Sequence, residues 1–317
     1  MDSADKSSGC YQTSIVDGGA ASVDFSNAAR RNEVQHVQRL ERVIAAMKRR
    51  LDRPMTNSNL ADIACLSPCH FNRLFRNATG IPPIQFHYAL RLDRAKRLLV
   101  TSDLSITEIC FEVGYNSLGT FTSRFNQLVG MSPSAFRSLT RRLASTRLIE
   151  LGLYVLDAAA VPALSRSICG TICSAGPDGL IFTALFPRAI PEGAPAACAL
   201  LSAPGPYQLS NPGNGLWYIF AAVVPWAAAG MQLITLDGVR RGRSGPIRVV
   251  ENGWTGSSDI ELTHARMLDP PVLTAIPVLL SRAFANRSLQ SSLRRSPKAP
   301  CDASPRIAAL PLGPADR

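Results

Sequence analysis

From Glu33 onward the apolar residues Val37, Leu40, Ile44, Met47 and Leu51 recur at alternating three- and four-residue steps. That spacing predicts one buried face of a helix, stopped at "DRP". Thr56 is placed to cap a second helix running to about Cys65. Ser67-Pro68 sets a cap and a first-turn proline before a third, which ends near Gly80. Pro83 opens a long helix to about Thr101, with Tyr88, Leu92, Ala95 and Leu99 on one stripe. Ser105 and Glu108 have the spacing of a capping box, and Gly114 ends the helix they begin. Ser117 starts a sixth helix, stopped by Gly130, and Ser132-Pro133 starts a seventh to about Arg142. Residues 1–32, rich in Ser, Ala, Gly and Asp, are expected to be disordered.

After about residue 150 the period changes. Short apolar runs alternate with Gly/Pro turns: "SICGTIC", "LIFTALF", "ACALLS", "YQLS", "LWYIFAAVVP", "QLITL", "IRVV" and "DIELTHA". Such runs predict an all-β, sandwich-like domain over 150–280. The fold class is therefore multidomain, an all-α seven-helix unit over 33–142 followed by a β unit. Residues 281–317 are basic and aperiodic, and are expected to be a disordered tail.

The helical part repeats itself. Phe71, Phe75, Gly80, Pro83 and Phe86 recur fifty positions later as Phe121, Phe125, Gly130, Pro133 and Phe136. Each copy reads as helix, tight turn, helix, with small residues (Ala61, Cys110) ahead of the turn. Gly114 tolerates positive φ at the second turn; Cys65, at the matching place in the first, lacks that freedom and predicts a differently shaped turn. With the phenylalanines inward, Cys69, Asn72, Arg73 and Arg76 face outward in the first copy. Gly119, Thr122, Ser123 and Asn126 do so in the second. A helix entering the major groove needs such a thin polar edge: Arg grips guanine bidentately, Asn grips adenine, and small residues allow a deep seat. The connecting helix of 19 residues would be about 28 Å long at 1.5 Å per residue. That length suits two recognition helices about one DNA turn apart.

Charge sharpens this picture. The chain of 317 residues carries 34 basic and 23 acidic residues, net +11. Residues 33–142 hold 16 basic against 8 acidic residues, 150–280 hold 7 against 9, and the last 37 hold 7 against 2. A basic helical block beside a near-neutral β block suggests a polyanion-binding module joined to a second unit. Arg outnumbers Lys 30 to 4, which leans toward a GC-rich bacterial genome. The eight cysteines lack a second ligand pair at zinc spacing and follow no secretory signal; they read as reduced cytoplasmic thiols, mostly buried.

The segment "LADIACLSPCHFNRLF", continued by "RLDRAKRLLVTSDLSITEICFEVGYNSLGTFTSRFNQLVGMSPSAFR", resembles the DNA-binding domain of the AraC/XylS family of bacterial transcription regulators. The resemblance covers residues 33–142. It implies a cytoplasmic, nucleoid-associated transcription factor that binds promoter DNA and works with RNA polymerase. It implies neither catalysis nor a cofactor. The family's base-reading positions fall here on Cys69, Asn72 and Arg73, and on Leu118, Gly119, Thr122 and Ser123. Some members carry Arg where this chain has Ser123, so the first recognition helix is expected to carry more of the specificity. Arg76, Arg124 and the helix start at Ser132 are phosphate candidates. Arg124 occupies the place of Leu74 in the first copy, and is expected to snorkel to a phosphate or to pair with Glu108 or Glu112.

Other readings compete. "SPCHFNR" resembles the reactive-cysteine motif of DNA alkyltransferases, with Cys69 as acceptor and His70 as its activator, but no alkyltransferase domain surrounds it. Residues 216–236 are uncharged and long enough to span a bilayer, which would make a membrane-tethered regulator; Pro225 and Gly230 favour two strands instead. The β unit is similar to transthyretin-like or carboxypeptidase-regulatory-like sandwiches in "GPYQLS" and "GLWYI". It would sense a small-molecule effector, make a homodimer or contact another protein. Trp217, Tyr218 and Trp226 are expected to pack its core.

Overall fold

The computed structural model describes residues 19–143 and 167–275, apart from positions 175, 177–178, 211–212, 227, 229–234, 237 and 252. Helix α1 (Gly19–Arg49) starts well before Glu33. Residues 19–32 are therefore helical, against the expectation of disorder. The segment is rich in Ala, and a helix already nucleated by its packed half extends at little cost. The first 18 residues and the tail expected over 281–317 lie outside the described residues.

The remaining helices fall where caps and breakers predict. They are α2 (Asn57–Ala64), α3 (Pro68–Thr79), α4 (Pro83–Thr101), α5 (Ile106–Glu112), α6 (Leu118–Val129) and α7 (Pro133–Leu143). Thr56 Oγ1 accepts from Asn59 N, and Ser105 Oγ accepts from Glu108 N while Glu108 Oε2 accepts from Ser105 N at 2.7 Å. The repeat duplicates the core as well as the outline. Phe71, Phe75 and Phe86 stack at ring separations of 5.5 and 5.4 Å. Their counterparts Phe121, Phe125 and Phe136 stack at 5.7 Å twice. All six are buried, each contributing about 1.5–3 kcal/mol by removal from water.

Eight strands follow: β1 (Ser167–Ser174), β2 (Gly179–Phe186), β3 (Ala197–Leu201), β4 (Gly205–Ser210), β5 (Gly215–Pro225), β6 (Arg240–Val250), β7 (Gly253–Thr255) and β8 (Ile260–His264). They join in one sheet, ordered β3-β2-β5-β6-β8-β1-β4, with β7 paired to β6. Its end strands β3 and β4 lie against each other, so the sheet is nearly closed. Alternate residues such as Ile168, Ile181, Leu209, Ile219, Ile247 and Leu262 fill its inside. A second apolar cluster, including Phe182, Phe186, Val224 and Leu236, covers the other face of β2 and β5.

Two expectations for this unit change. Strand β6 is far longer than "IRVV", because its first half is the polar run Arg240–Ser244, which apolar periodicity passes over. Residues 216–225 of the uncharged stretch are strand β5, paired to β2 and β6. No helix among the described residues is long and apolar enough to cross a membrane. Trp217 packs on the inner cluster and Trp226 on the outer one, whereas Tyr218 packs against the helical core.

The helical and β units share a core. Ala189, Ile190, Leu273 and Ala275, from segments after β2 and β8, are buried in the helical cluster. Texture in the sequence separates the units; packing joins them.

Candidate nucleic-acid interface

Both tight turns take the left-handed conformation. Cys65 has φ 54° and ψ 48°, and Gly114 has φ 81°. The hydrogen bonds match too. Cys65 N donates to Asp62 O (3.0 Å) and Leu66 N to Ala61 O (3.1 Å); Gly114 N donates to Phe111 O (2.9 Å) and Tyr115 N to Cys110 O (3.0 Å). The expectation of a differently shaped first turn is thus corrected. A side chain in this region costs about 1–2 kcal/mol, and the paired bonds that close the first turn hold Cys65 there despite it. What differs is length, because Ser117 stands one residue further from its turn than Ser67 does.

Helix α3 presents Cys69, Arg73 and Arg76 exposed, with Asn72 half-buried. Asn72 Nδ2 donates to Pro68 O at 3.1 Å, which ties one amide N–H to its own helix and leaves the other N–H and Oδ1 for a base. Helix α6 presents Leu118, Gly119, Ser123 and Arg124 exposed and Thr122 half-buried. Asn126 is exposed on the same helix. The helix start at Ser132 is capped, Ser132 Oγ accepting from Ala135 N at 3.2 Å.

Arg124 makes neither expected ion pair. Its guanidinium lies 5.2 Å from the centre of the Tyr88 ring, whose surroundings also include the Arg91 guanidinium at 5.7 Å. Glu108 is occupied by its capping box, which also holds its carboxyl below the ordinary range through the Ser105 backbone bond first. Arg124 thereby links α6 to the connecting helix α4 by a cation–π contact. His70 lies edge-on to His36 of α1, ring centres 6.2 Å apart. The expectation of mostly buried thiols is also overturned: Cys65, Cys69, Cys169 and Cys173 are exposed, while Cys110 is buried. Turn, outer helix face and outer strand face place those four outside, whatever the small side chain would prefer.

Two residues of α4 escaped sequence reasoning. Arg91 is buried, yet its Nη1 donates to Gly114 O (3.0 Å) and its Nη2 to Arg53 O (2.8 Å). It ties the loop after α1 to the second turn. Its signal is a cation within the apolar run "ALRL" on a helix that has water on few sides. His87 is buried beside it. Burial foremost, then the Arg91 charge, push the imidazole down to about pKa 4. An unfolded histidine titrates near 6.5. The unfolded chain therefore binds a proton that the folded chain refuses between these values. Stability present above about pH 6.5 should fall as pH drops toward 4, by up to about 3 kcal/mol. Urea unfolding of His87→Gln across this window is expected to remove that part of the slope; an unchanged slope would put the titration elsewhere.

The carboxyl ends of the two recognition helices are closed by the β unit. Arg243 of β6 donates from Nη1 to Thr79 O (2.6 Å) and from Nη2 to Ala78 O (3.3 Å), at the end of α3. At the end of α6, Gly193 N donates to Leu128 O (2.6 Å) and Ala275 N to Val129 O (3.1 Å). Helix α4 is held by a bond of the opposite sense, its buried Lys96 donating to Val272 O at 2.8 Å. Carbonyls in a last helical turn lack intrahelical donors. Here one unit supplies donors to both copies, leaving the amino-terminal halves of α3 and α6 outside these contacts.

Comparison with known proteins agrees with the repeated unit. The chain is similar to the HTH-type transcriptional regulator GlxA of Rhizobium meliloti (strain 1021), 35% identical over 95 residues, which are 30% of this chain and 29% of that one. It is similar to the MmsAB operon regulatory protein of Pseudomonas aeruginosa, 33% identical over 103 residues, 32% of this chain and 34% of that one. These matches span about a third of the relatives' own length. Among solved structures, the DNA-binding domain of AdpA in complex with a target DNA is 34% identical, covering 32% of this chain and 90% of that one, with a TM-score of 0.31. Residues 60–138, both turns and both recognition helices included, match the family described as a helix-turn-helix domain.

Proposed function

We propose that the chain is a sequence-specific DNA-binding transcription regulator of AraC/XylS type, whose helices α3 and α6 read successive major-groove segments of a promoter. The observation that carries this reading is the duplicated helix-turn-helix with one polar face exposed on each second helix. Arg73 is the strongest base reader, because it is exposed, central on α3 and able to grip guanine bidentately. Cys69 and Asn72 flank it; Leu118, Gly119, Thr122 and Ser123 read the second segment with weaker, mostly apolar or hydroxyl contacts. Arg76 serves a phosphate. Arg124, held on Tyr88, serves one from a fixed position. The β unit regulates by restraining both recognition helices at their carboxyl ends. RNA polymerase and promoter DNA are the partners this role requires.

Selection of bound sites from random duplexes by the full chain tests the reading. Two half-elements about 10–11 base pairs apart are expected. Arg73→Ala should weaken specific binding by about 1–3 kcal/mol and relax one base position. Arg76→Ala should weaken specific and random DNA alike and flatten the salt dependence. Equal losses on both kinds of DNA for Arg73→Ala would sink its assignment, and absence of any enriched sequence would sink the reading.

A further inference from the structure

A cavity of about 270 Å³ lies between the outer face of the sheet and the segments that hold the helices. Phe182, Phe186, Phe220 and Leu236 give it apolar walls, and Pro191, Val272 and Thr274 close it on the other side. Charge enters from β6, β8 and the segment after β8. Arg243 is committed to the α3 carbonyls, and Arg266 to Asp269, with Nη2 to Oδ1 at 3.3 Å. Glu261 is exposed at the lining. Arg241 remains. Its Nη2 reaches the Asp269 carbonyl at a long 3.5 Å, and its Nε is buried with no partner. Burial works against its charge, ahead of the partial relief from Asp269 and Asp93. An orphaned buried guanidinium donor is costly, and an anion is the group that satisfies it best.

We infer that this cavity binds a small organic carboxylate with an apolar body, the carboxylate on Arg241 and the body among Phe182, Phe186 and Phe220. The size suits about a dozen non-hydrogen atoms, below the usual range for larger ligands. The site belongs to the same frame as the recognition helices. Pro191 O accepts from Leu273 N (2.9 Å) and Thr274 N (3.1 Å), and Thr274 Oγ1 donates to Gly193 O (2.9 Å). The neighbouring amides of Gly193 and Ala275 hold α6, and the Val272 carbonyl holds Lys96 of α4. A ligand pressing on Pro191, Val272 and Thr274 thus acts on the parts that fix α4 and α6. This coupling rests on the reading of α3 and α6 as DNA-reading helices; the ligand site does not.

The test is calorimetric titration of the full chain, without DNA, by 3-phenylpropionate and by its neutral isostere 3-phenylpropionamide. Saturable binding of the acid is expected, with the amide about ten- to a hundredfold weaker. Arg241→Gln should bring the acid down to the amide's affinity. Ala184→Leu, which fills the cavity and leaves Arg241 in place, should weaken both probes. Thermal melts of both variants identify a fold that was lost, and the second variant keeps the test decisive if the first is lost. Acid and amide binding alike, or neither binding up to about 10 mM, would overturn the site. The acid is then added to the chain on its selected duplex. A changed affinity for that duplex supports the coupling, and an unchanged one overturns it. If the acid binds but no duplex is ever selected, the DNA reading fails while the carboxylate site stands.

Discussion

Gly114→Ala is expected to destabilise the chain by about 2–5 kcal/mol in urea unfolding. Two costs add. The left-handed backbone at φ 81° charges any side chain about 1–2 kcal/mol. A Cβ there would also stand 2.5 Å from Leu51 O and 2.8 Å from Asp52 O, both backbone atoms that cannot swing aside. Displacing packed backbone of this kind costs about 1–3 kcal/mol. Arg91 raises the stakes, because it holds the Gly114 carbonyl and the Arg53 carbonyl together. The matching position in the first copy supplies the converse. Cys65 sits at φ 54° with its side chain exposed, so Cys65→Gly should gain up to about 1 kcal/mol. A loss below 1 kcal/mol at Gly114, or a loss at Cys65→Gly, would show that the two turns are not held as the hydrogen bonds indicate.

That pair of turns marks how far the sequence could be read. Helix starts were legible because caps and first-turn prolines act locally: Thr56, Ser105 and Ser132 cap through their side chains, whereas at α3 Ser67 makes no capping bond and Pro68 alone marks the start. The repeated phenylalanines were legible because burial follows the helical period. Cys65 was misread because its conformation is imposed by two bonds back into α2, against the preference of the residue itself. The carboxylate pairing expected of Arg124 failed for a related reason. Tyr88, which takes that guanidinium instead, comes from another helix, and its presence there is a fact of packing.

The β unit was less legible. Seven of its strands announce themselves wholly or in part by apolar runs, whereas "RRGRS" in β6 looks like surface in any linear reading. In the fold it contains the two arginines that matter most outside the recognition helices. Arg243 reaches the end of α3, and Arg241 enters the cavity. A run of cations in a strand adjoining the strongly apolar β5 is a signal in retrospect. It requires knowing that β6 pairs with β5, which the sequence alone does not provide.

Arg243→Ala should cost about 2–4 kcal/mol and loosen one recognition helix selectively. The guanidinium makes two charge-assisted bonds to Thr79 O and Ala78 O. Such bonds are worth about 1.5–3 kcal/mol each, and a cation at a helix carboxyl end adds a smaller favourable contribution. Removing it strands two carbonyls and opens space beside Gly80, whose added Cβ would stand 2.9 Å from Arg243 Nη1. Relief of the arginine's own desolvation keeps the total below the sum of the bonds. Amide hydrogen exchange distinguishes this from general destabilisation. Protection should fall in the last turn of α3, whereas the last turn of α6 stays protected, because Gly193 and Ala275 still cap it. Arg243→Lys keeps the charge but cannot fork across both carbonyls, so it should recover about half of the loss. Equal loss of protection at the two helix ends would mean that the β unit leaves as a whole. Selective loss would mean that each recognition helix is held by its own clasp, so the spacing between them can be altered at one end alone.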